Sequence, residues 1–306
     1  MIIALSGGIG GAKLALGLSR VLSPEELLII ANTGDDFEHY GLTICPDTDT
    51  LLYTLAGLDN PQLGWGRADE SWAFMQTLAG LGGADWFRLG DRDLALHVLR
   101  SHRLRAGEAL SAITDDLRQR FGIGPRILPM SDDPVRTRIG TDQGWLDFQD
   151  WFVRLRAEPL ARAVQFAGVE KARAQPALLD ALQAKPRGIV LCPSNPFISI
   201  EPILALPGLR DAIKASGAPV VAVSPIIAGQ AVKGPTARMF EALGITPSAA
   251  AVAARYGDLL HGYVMEKGDD AEGIAPRVFH AETLMRNLDD KMNLARQVLA
   301  AIDAIR

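Results

Sequence analysis

A chain of 306 residues is long enough for one large domain or two modest ones, and it can bury a substantial apolar core. Its 48% apolar and 22% charged residues exclude a mostly disordered polymer. The balance of 31 Lys+Arg against 36 Asp+Glu, a net charge of -5, removes any global electrostatic case for nucleic acid or an anionic membrane as partner. Cys45 and Cys192 stand far apart with no CxxC, which argues against a disulfide scaffold and a structural zinc site. The opening has no charged n-region and too short an apolar run for a signal segment, and no apolar stretch reaches spanning length. A soluble, cytoplasmic protein is expected.

The chain opens as strand, loop and helix. Residues 2–5 are a short apolar run, 6–11 are glycine-rich, and 12–22 space Leu14, Leu18, Val21 and Leu22 on one helical face before Pro24. A second strand at 27–31 completes a βαβ unit and implies a mostly parallel sheet of α/β type. Residues 32–49 are polar and irregular. Helices are expected at 51–58, 72–81, 94–99 and 109–121, so 51–125 reads as a largely helical insertion covering the carboxyl edge of the sheet. Strand-like runs return at 126–128, 188–192, 220–223 and 262–265, with crossover helices at 211–216 and 237–243 and a small-residue helix at 248–254. The core is therefore expected to comprise 1–50 and 126–306.

Several segments carry chemistry. In the loop Ser6-Gly7-Gly8-Ile9-Gly10-Gly11-Ala12-Lys13, glycines let the backbone approach a phosphate while the following helix presents free N–H groups. It is neither a Walker A loop nor a strict GxGxxG, so a tight strand-to-helix turn is the competing reading, with Lys13 either on a phosphate or merely solvated. Asn32-Thr33-Gly34-Asp35-Asp36 and Pro46-Asp47-Thr48-Asp49-Thr50 bring four carboxylates to the end of the second strand, a hard-oxygen set suited to Mg²⁺. The bland alternative has Asp47 capping a helix that starts near Thr48, with Asp49 facing the cleft. Trp86 to Asp93, followed by His97, mixes aromatics with charge; it suits a planar ring or, equally simply, a surface salt-bridge network. The turns Pro129 to Pro134 and Cys192 to Phe197, and the cation of Lys233-Gly234-Pro235, are further candidates for nucleotide or phosphate contact. The five histidines show no metal spacing, and no Ser-His-Asp or Cys-His order is evident. Pattern alone points to an α/β enzyme of a nucleotide or phosphate ligand with an acidic cleft.

Taken together, SGGIGGAKLALGL, NTGDD, CPDTDTLLYTLAG, WFRLGDRDLALH, PMSDDPVRT, FQDWFV, PSNPFISIEPIL, VAVSPIIAGQAVKGP and AARYGDLL resemble the 2-phospho-L-lactate transferase (CofD-like) family of coenzyme F420 biosynthesis, nearly end to end. Departures are confined to Ile9, Cys192 and Glu201. The resemblance implies a Rossmann-like doubly wound fold and transfer of a phosphorylated three-carbon acid (phospholactate, phosphoenolpyruvate or phosphoglycerate) from a GDP-linked donor. The acceptor is the ribityl hydroxyl of Fo, 7,8-didemethyl-8-hydroxy-5-deazariboflavin, and GMP leaves. By that resemblance, Asp49 and Arg88 contact Fo, Asp35, Asp36 and Asp49 are the metal carboxylates for Mg²⁺, and Asp36 and Asp49 are catalytic. Gly7, Gly8, Gly10, Gly11, Lys13, Ser194 and Asn195 face the nucleotide, and a homodimer is implied. The alternative of a different class is a non-catalytic nucleotide-sugar-binding regulator resembling the gluconeogenesis factors (YvcK-type), against which WFRLGDRDLALH and FQDWFV speak.

Overall fold

Strand β1 (Ile2–Ser6) turns Ile3 and Leu5 to one face and Ile2 and Ala4 to the other, and all four are buried. A strand apolar on both sides belongs at the centre of a sheet that helices cover on both faces. The computed structural model describes residues 1–231 and 236–306, and the Lys233-Gly234-Pro235 turn lies outside the described residues. Helix α1 (Gly8–Val21) leads to β2 (Leu27–Ala31), a hairpin of β3 (Phe37–His39) and β4 (Leu42–Ile44), and α2 (Pro46–Ala56). Next come α3 (Ala73–Gly80), α4 (Asp91–Arg105), α5 (Leu110–Arg120), β5 (Arg126–Pro129), β6 (Arg136–Thr141), β7 (Gly144–Asp147) and β8 (Ala163–Ala167). The second half comprises α6 (Pro176–Gln183), β9 (Gly188–Leu191), α7 (Glu201–Leu204), α8 (Leu209–Ser216), β10 (Val220–Val223) and the short strands β11 (Ile226–Ile227) and β12 (Gln230–Ala231). It closes with α9 (Thr236–Ala242), α10 (Ala249–Tyr256), β13 (Gly262–Glu266), β14 (Arg277–Ala281) and α11 (Leu288–Ile305).

Seven strands form one parallel sheet in the order β14-β13-β10-β9-β1-β2-β5. The fold is Rossmann-like and doubly wound. Strand order reverses between β1 and β9, and such a switch point leaves a crevice beyond the carboxyl ends of the two strands. The period-two alternation of the strands separates two cores. One holds Leu14 and Leu18 of α1, Leu51 and Leu52 of α2, Leu117 of α5 and Val298 and Ile302 of α11. The other holds Leu178 of α6, Ile213 of α8 and Val252 of α10. Each aliphatic side chain so removed from water contributes about 1.5–3 kcal/mol. Among the described residues, no helix is long and apolar enough to cross a membrane.

The six expected strands all occur within a residue of their expected limits. The helices differ more. Helix α1 begins at Gly8 rather than residue 12, because the glycine-rich stretch is itself the first turn of the helix. Gly8 takes a φ of +61°, and a Cβ at Gly10 would collide with the carbonyl oxygen of Pro193, so composition that reads as loop is close helix-to-strand packing. Helix α2 begins at Pro46 rather than 51, with proline at its first position, and α4 extends well beyond 94–99 on both sides. Elements outside the expected set include the antiparallel sheet β7-β6-β8, the β3–β4 hairpin, edge strand β14, α6 and α11. The α11 signal is present in the sequence: the Asn287 side chain accepts from the Asp290 N–H at 2.8 Å, ahead of apolar residues at helical spacing.

Helix α11 closes the sheet against α1, where Gly17 meets the backbone of Lys291 directly. A Cβ at Gly17 would strike the Lys291 carbonyl and approach Ala295 Cβ at 3.3 Å. Alanine there would gain up to about 1 kcal/mol of helix propensity, but overpacking against backbone typically costs about 1–3 kcal/mol. Gly17→Ala is therefore expected to lower the urea midpoint. An unchanged or higher midpoint would show that α11 shifts without penalty.

Candidate functional site

A cleft of about 730 Å³ opens at the switch point. Its floor is the α1 entry loop and the segment after β9, one side carries carboxylates from the β2 end and α2, and aromatic residues form the walls. The backbone of Gly7 is tied to the β9 end: its N–H donates to Ser194 Oγ at 3.3 Å, and that hydroxyl donates to the Gly7 carbonyl at 2.6 Å. Asn195 caps the helical turn that follows, its Oδ1 accepting from the Phe197 N–H at 2.8 Å. Lys13 lies one turn into α1 and donates to the Met285 carbonyl at 3.1 Å. Gly7, Gly8, Gly10, Lys13, Ser194 and Asn195 all line the cleft; Gly11 does not, because it packs against the hydroxyls of Ser6 and Ser194 behind it.

Asp47 is not the cap of a helix starting near Thr48. It sits inside the first turn of α2 and reaches across the cleft floor, where its Oδ1 accepts from the Gly8 N–H at 2.7 Å and its Oδ2 from Asn32 Nδ2 at 2.9 Å. An anion thus already rests on the positive end of α1. Asp35 faces the same cleft, and its Oδ1 is buried without a hydrogen-bond partner among the described residues. Burial, then the neighbouring charges of Asp47 and Asp36, push the Asp35 carboxyl well above its ordinary range. Burial raises Asp47 to about 6, against the hydrogen bonds from Asn32 and Gly8. Asp36 is raised to about 7 by burial, opposed by Arg136 and the Cys45 thiol, and it does not line the cleft. Asp35 and Asp47 thus form an acidic pair with a spare oxygen, crowded enough that a divalent cation would relieve both burial and repulsion.

Asp49 has a different environment. Both its oxygens are taken by the guanidinium of Arg100, Nη1 to Oδ2 at 3.0 Å and Nη2 to Oδ1, in a two-pronged pair. His97 Nδ1 lies 3.7 Å from Asp49 Oδ2, His97 Nε2 lies 3.1 Å from Asp93 Oδ1, and the Tyr53 hydroxyl donates to Asp93 Oδ1 at 2.6 Å. Burial opposes the charge of Asp93, yet His97, Tyr53 and Arg100 together hold its carboxyl below the usual range. Ligand atoms of Asp49, Asp93 and His97 lie within 4.8 Å of one another, so this trio also has the spacing of a metal site. The Arg100 fork on Asp49 puts a fixed cation beside any ion placed there, so the Asp35 and Asp47 pair fits Mg²⁺ better. Tyr53 and Arg100 are absent from the residues that the sequence singles out, while Asp93 and His97 stand there only as part of the cluster that Trp86 opens; the signal for all four is spacing, since positions 49 and 53 on α2 face 93, 97 and 100 on α4.

The walls are aromatic. Trp86 and Phe87 line one side, backed by His39 at 5.2 Å from Trp86 and Phe37 at 4.7 Å from Phe87. Arg88 is exposed at the cleft rim, its guanidinium 4.3 Å over the Trp72 ring. Phe148 and Phe152 also line the cleft, stacked at 5.5 Å and 10°, with Gln149 between them in sequence donating to the Asp35 carbonyl at 3.4 Å. Flat apolar surfaces beside a few polar anchors suit a planar ring system.

The sequence profile described as 2-phospho-L-lactate transferase CofD matches residues 2–299. A protein of Kitasatospora aureofaciens named phosphoenolpyruvate transferase is 43% identical over 319 residues, covering 100% of this chain and 98% of the relative. One of the same name from Thermobifida fusca is 43% identical over 282 residues, covering 88% and 87%. Among solved structures, a UPF0052 family member from Bacillus halodurans superposes with a TM-score of 0.65 at 15% identity, over 97% of this chain and 98% of that one, a likeness of fold.

The carboxylate pKa values set a pH dependence. A carboxyl whose folded-state pKa lies above its ordinary value near 3.8 binds its proton more tightly in the folded protein, so it favours folding at low pH. That contribution is lost as pH rises through about 6 for Asp47 and about 7 for Asp36. The melting temperature of EDTA-treated protein is expected to fall between pH 5 and pH 8, and Asp36→Asn to flatten the upper part of the decline. A profile that is flat or rises across that window would contradict the assignment.

Proposed function

The chain belongs to the 2-phospho-L-lactate transferase CofD family, and we propose that it transfers a phosphoenolpyruvyl group from a GDP-linked donor to the ribityl hydroxyl of Fo. The acceptor oxygen attacks the phosphorus that bears the three-carbon acid, the bridging P–O bond breaks, GMP leaves, and the hydroxyl proton is released. The product is the dehydro form of F420-0. Support for the phosphoenolpyruvyl donor comes from the relatives of that name, which match over the whole chain. The observation that carries the reading is the cleft at the switch point, which joins a glycine-lined helix N-terminus, an acidic pair and aromatic walls in one cavity.

Each part answers a physical requirement. The α1 entry loop, with Ser194 and Asn195, would take the nucleotide, its amides and helix dipole meeting phosphate charge. Mg²⁺ held by Asp35 and Asp47 supplies charge stabilisation to a diphosphate when bound. Without a cation, those two carboxylates would repel the donor. Asp49 and Arg88 would contact Fo, with Trp86, Phe87, Phe148 and Phe152 excluding water from its flat ring. Effective transfer then rests on holding the hydroxyl in line with the breaking bond.

The test is direct. Purified protein, Fo and Mg²⁺ are mixed in turn with the phosphoenolpyruvyl, phospholactyl and phosphoglyceryl donors linked to GMP, and product masses are recorded. The dehydro product is expected to form at least tenfold faster than the other two, and exhaustive EDTA treatment to abolish it. Equal use of all three donors would refute the donor assignment, and turnover unaffected by EDTA would refute the metal.

A further inference from the structure

Arg100 is fully buried, at 0% exposure. Taking a charge out of water is costly, and buried ion pairs replaced by apolar residues of similar size are often no less stable. Stability therefore gives a weak account of this arginine. Its geometry gives a better one. Arg100 lies in α4 and reaches across to α2, where it engages both oxygens of Asp49. An ionised carboxylate offers about four acceptor positions, and a two-pronged arginine uses one on each oxygen. The remaining lone pairs belong to an Asp49 that lines the cleft and has no freedom to rotate.

The rest of the α2–α4 contact reinforces that placement. His97 stands between Asp49 and Asp93, and the Tyr53 hydroxyl fixes Asp93 from the α2 side. Ser101, the next residue of α4, accepts from the Thr43 N–H at 2.7 Å and ties the same helix to the β4 strand. Helix α4 is thereby registered against α2 at several points, with the Arg100 guanidinium pairing directly with Asp49. We infer that Arg100 is a positioning residue for the transfer, holding the Asp49 carboxylate where it accepts a hydrogen bond from the acceptor hydroxyl. This inference rests on the transferase reading above and adds to it a residue outside the cleft.

Arg100→Lys keeps the charge and removes the fork, so it separates placement from neutralisation. It is to be compared with Asp49→Asn and with the double variant, each first checked for a cooperative melt and for the stabilisation that GDP gives the wild type. Arg100→Lys is expected to melt cooperatively, to keep the GDP shift and the KM for the donor, and to lose ten- to a hundredfold in kcat. The double variant is expected to be no slower than Asp49→Asn alone, since one residue acts through the other. Wild-type kcat in Arg100→Lys, or a double variant whose loss equals the product of the single losses, would overturn the inference. If Arg100→Lys fails to melt cooperatively, Arg100→Met with Asp49→Asn removes the whole pair. That variant is expected to match the kcat of Asp49→Asn, and a further tenfold loss would overturn the inference. A wild-type protein that gives no transfer with any donor would remove the transferase reading, and this inference with it. Turnover in the wild type that continues at the same rate in Arg100→Lys would remove the inference alone.

Discussion

The interaction on which the site depends is the reach of Asp47 across the switch point. One carboxylate oxygen accepts from Gly8 at the start of α1, and the other from Asn32 at the end of β2. These residues directly follow the carboxyl ends of β1 and β2, and Asp47 itself stands on α2, so three elements converge on one side chain. Asn32 extends the tie, since its Nδ2 also donates to the Ile198 carbonyl at 3.0 Å on the β9 side of the crevice. These hydrogen bonds tie the cleft floor together across the gap.

That arrangement places charge where solvation is poorest. Asp35 and Asp47 are both buried and face one cavity, and their carboxyls are raised by burial. Asp49 instead meets the guanidinium of Arg100 with both of its oxygens. On the proposed reading the acidic face divides in two. One carboxylate has a built-in counter-cation and a set direction, and the other two, crowded together in the cleft, would suit an external cation. Without Arg100, three carboxylates would compete for the same ion.

Much of the sheet was legible in the sequence because its strands are apolar on both faces and short. Runs such as Leu27–Ala31 and Val220–Val223 admit few other readings once βαβ order is seen. The glycine loop was legible as a strand-to-helix junction, and the cleft does open on it, but its limits were not legible, since Gly8 to Gly11 lie within a helix whose tight approach to Pro193 no local signal announces. The β7-β6-β8 sheet was hidden for the opposite reason: RTRIGT and GWLD carry polar residues on exposed faces and read as loop. Among site residues, Asp47 stood between a cleft carboxylate and a helix cap, because spacing gives the first turn of a helix but not the direction of a side chain. Arg100 was invisible as a charge on a polar helix. Only the pairing of α4 with α2, a tertiary fact, brings its guanidinium to Asp49.

The central claim is that the carboxylates divide, with Asp35 and Asp47 for the cation and Asp49 for the acceptor. Calorimetric titration of Mg²⁺ into the GDP complex of the wild type and of Asp35→Asn, Asp47→Asn and Asp49→Asn measures this without turnover. The account predicts that Asp35→Asn and Asp47→Asn each weaken Mg²⁺ binding tenfold or more, while Asp49→Asn binds within about twofold of wild type. Loss of Mg²⁺ binding in Asp49→Asn, with retention in the other two, would contradict it.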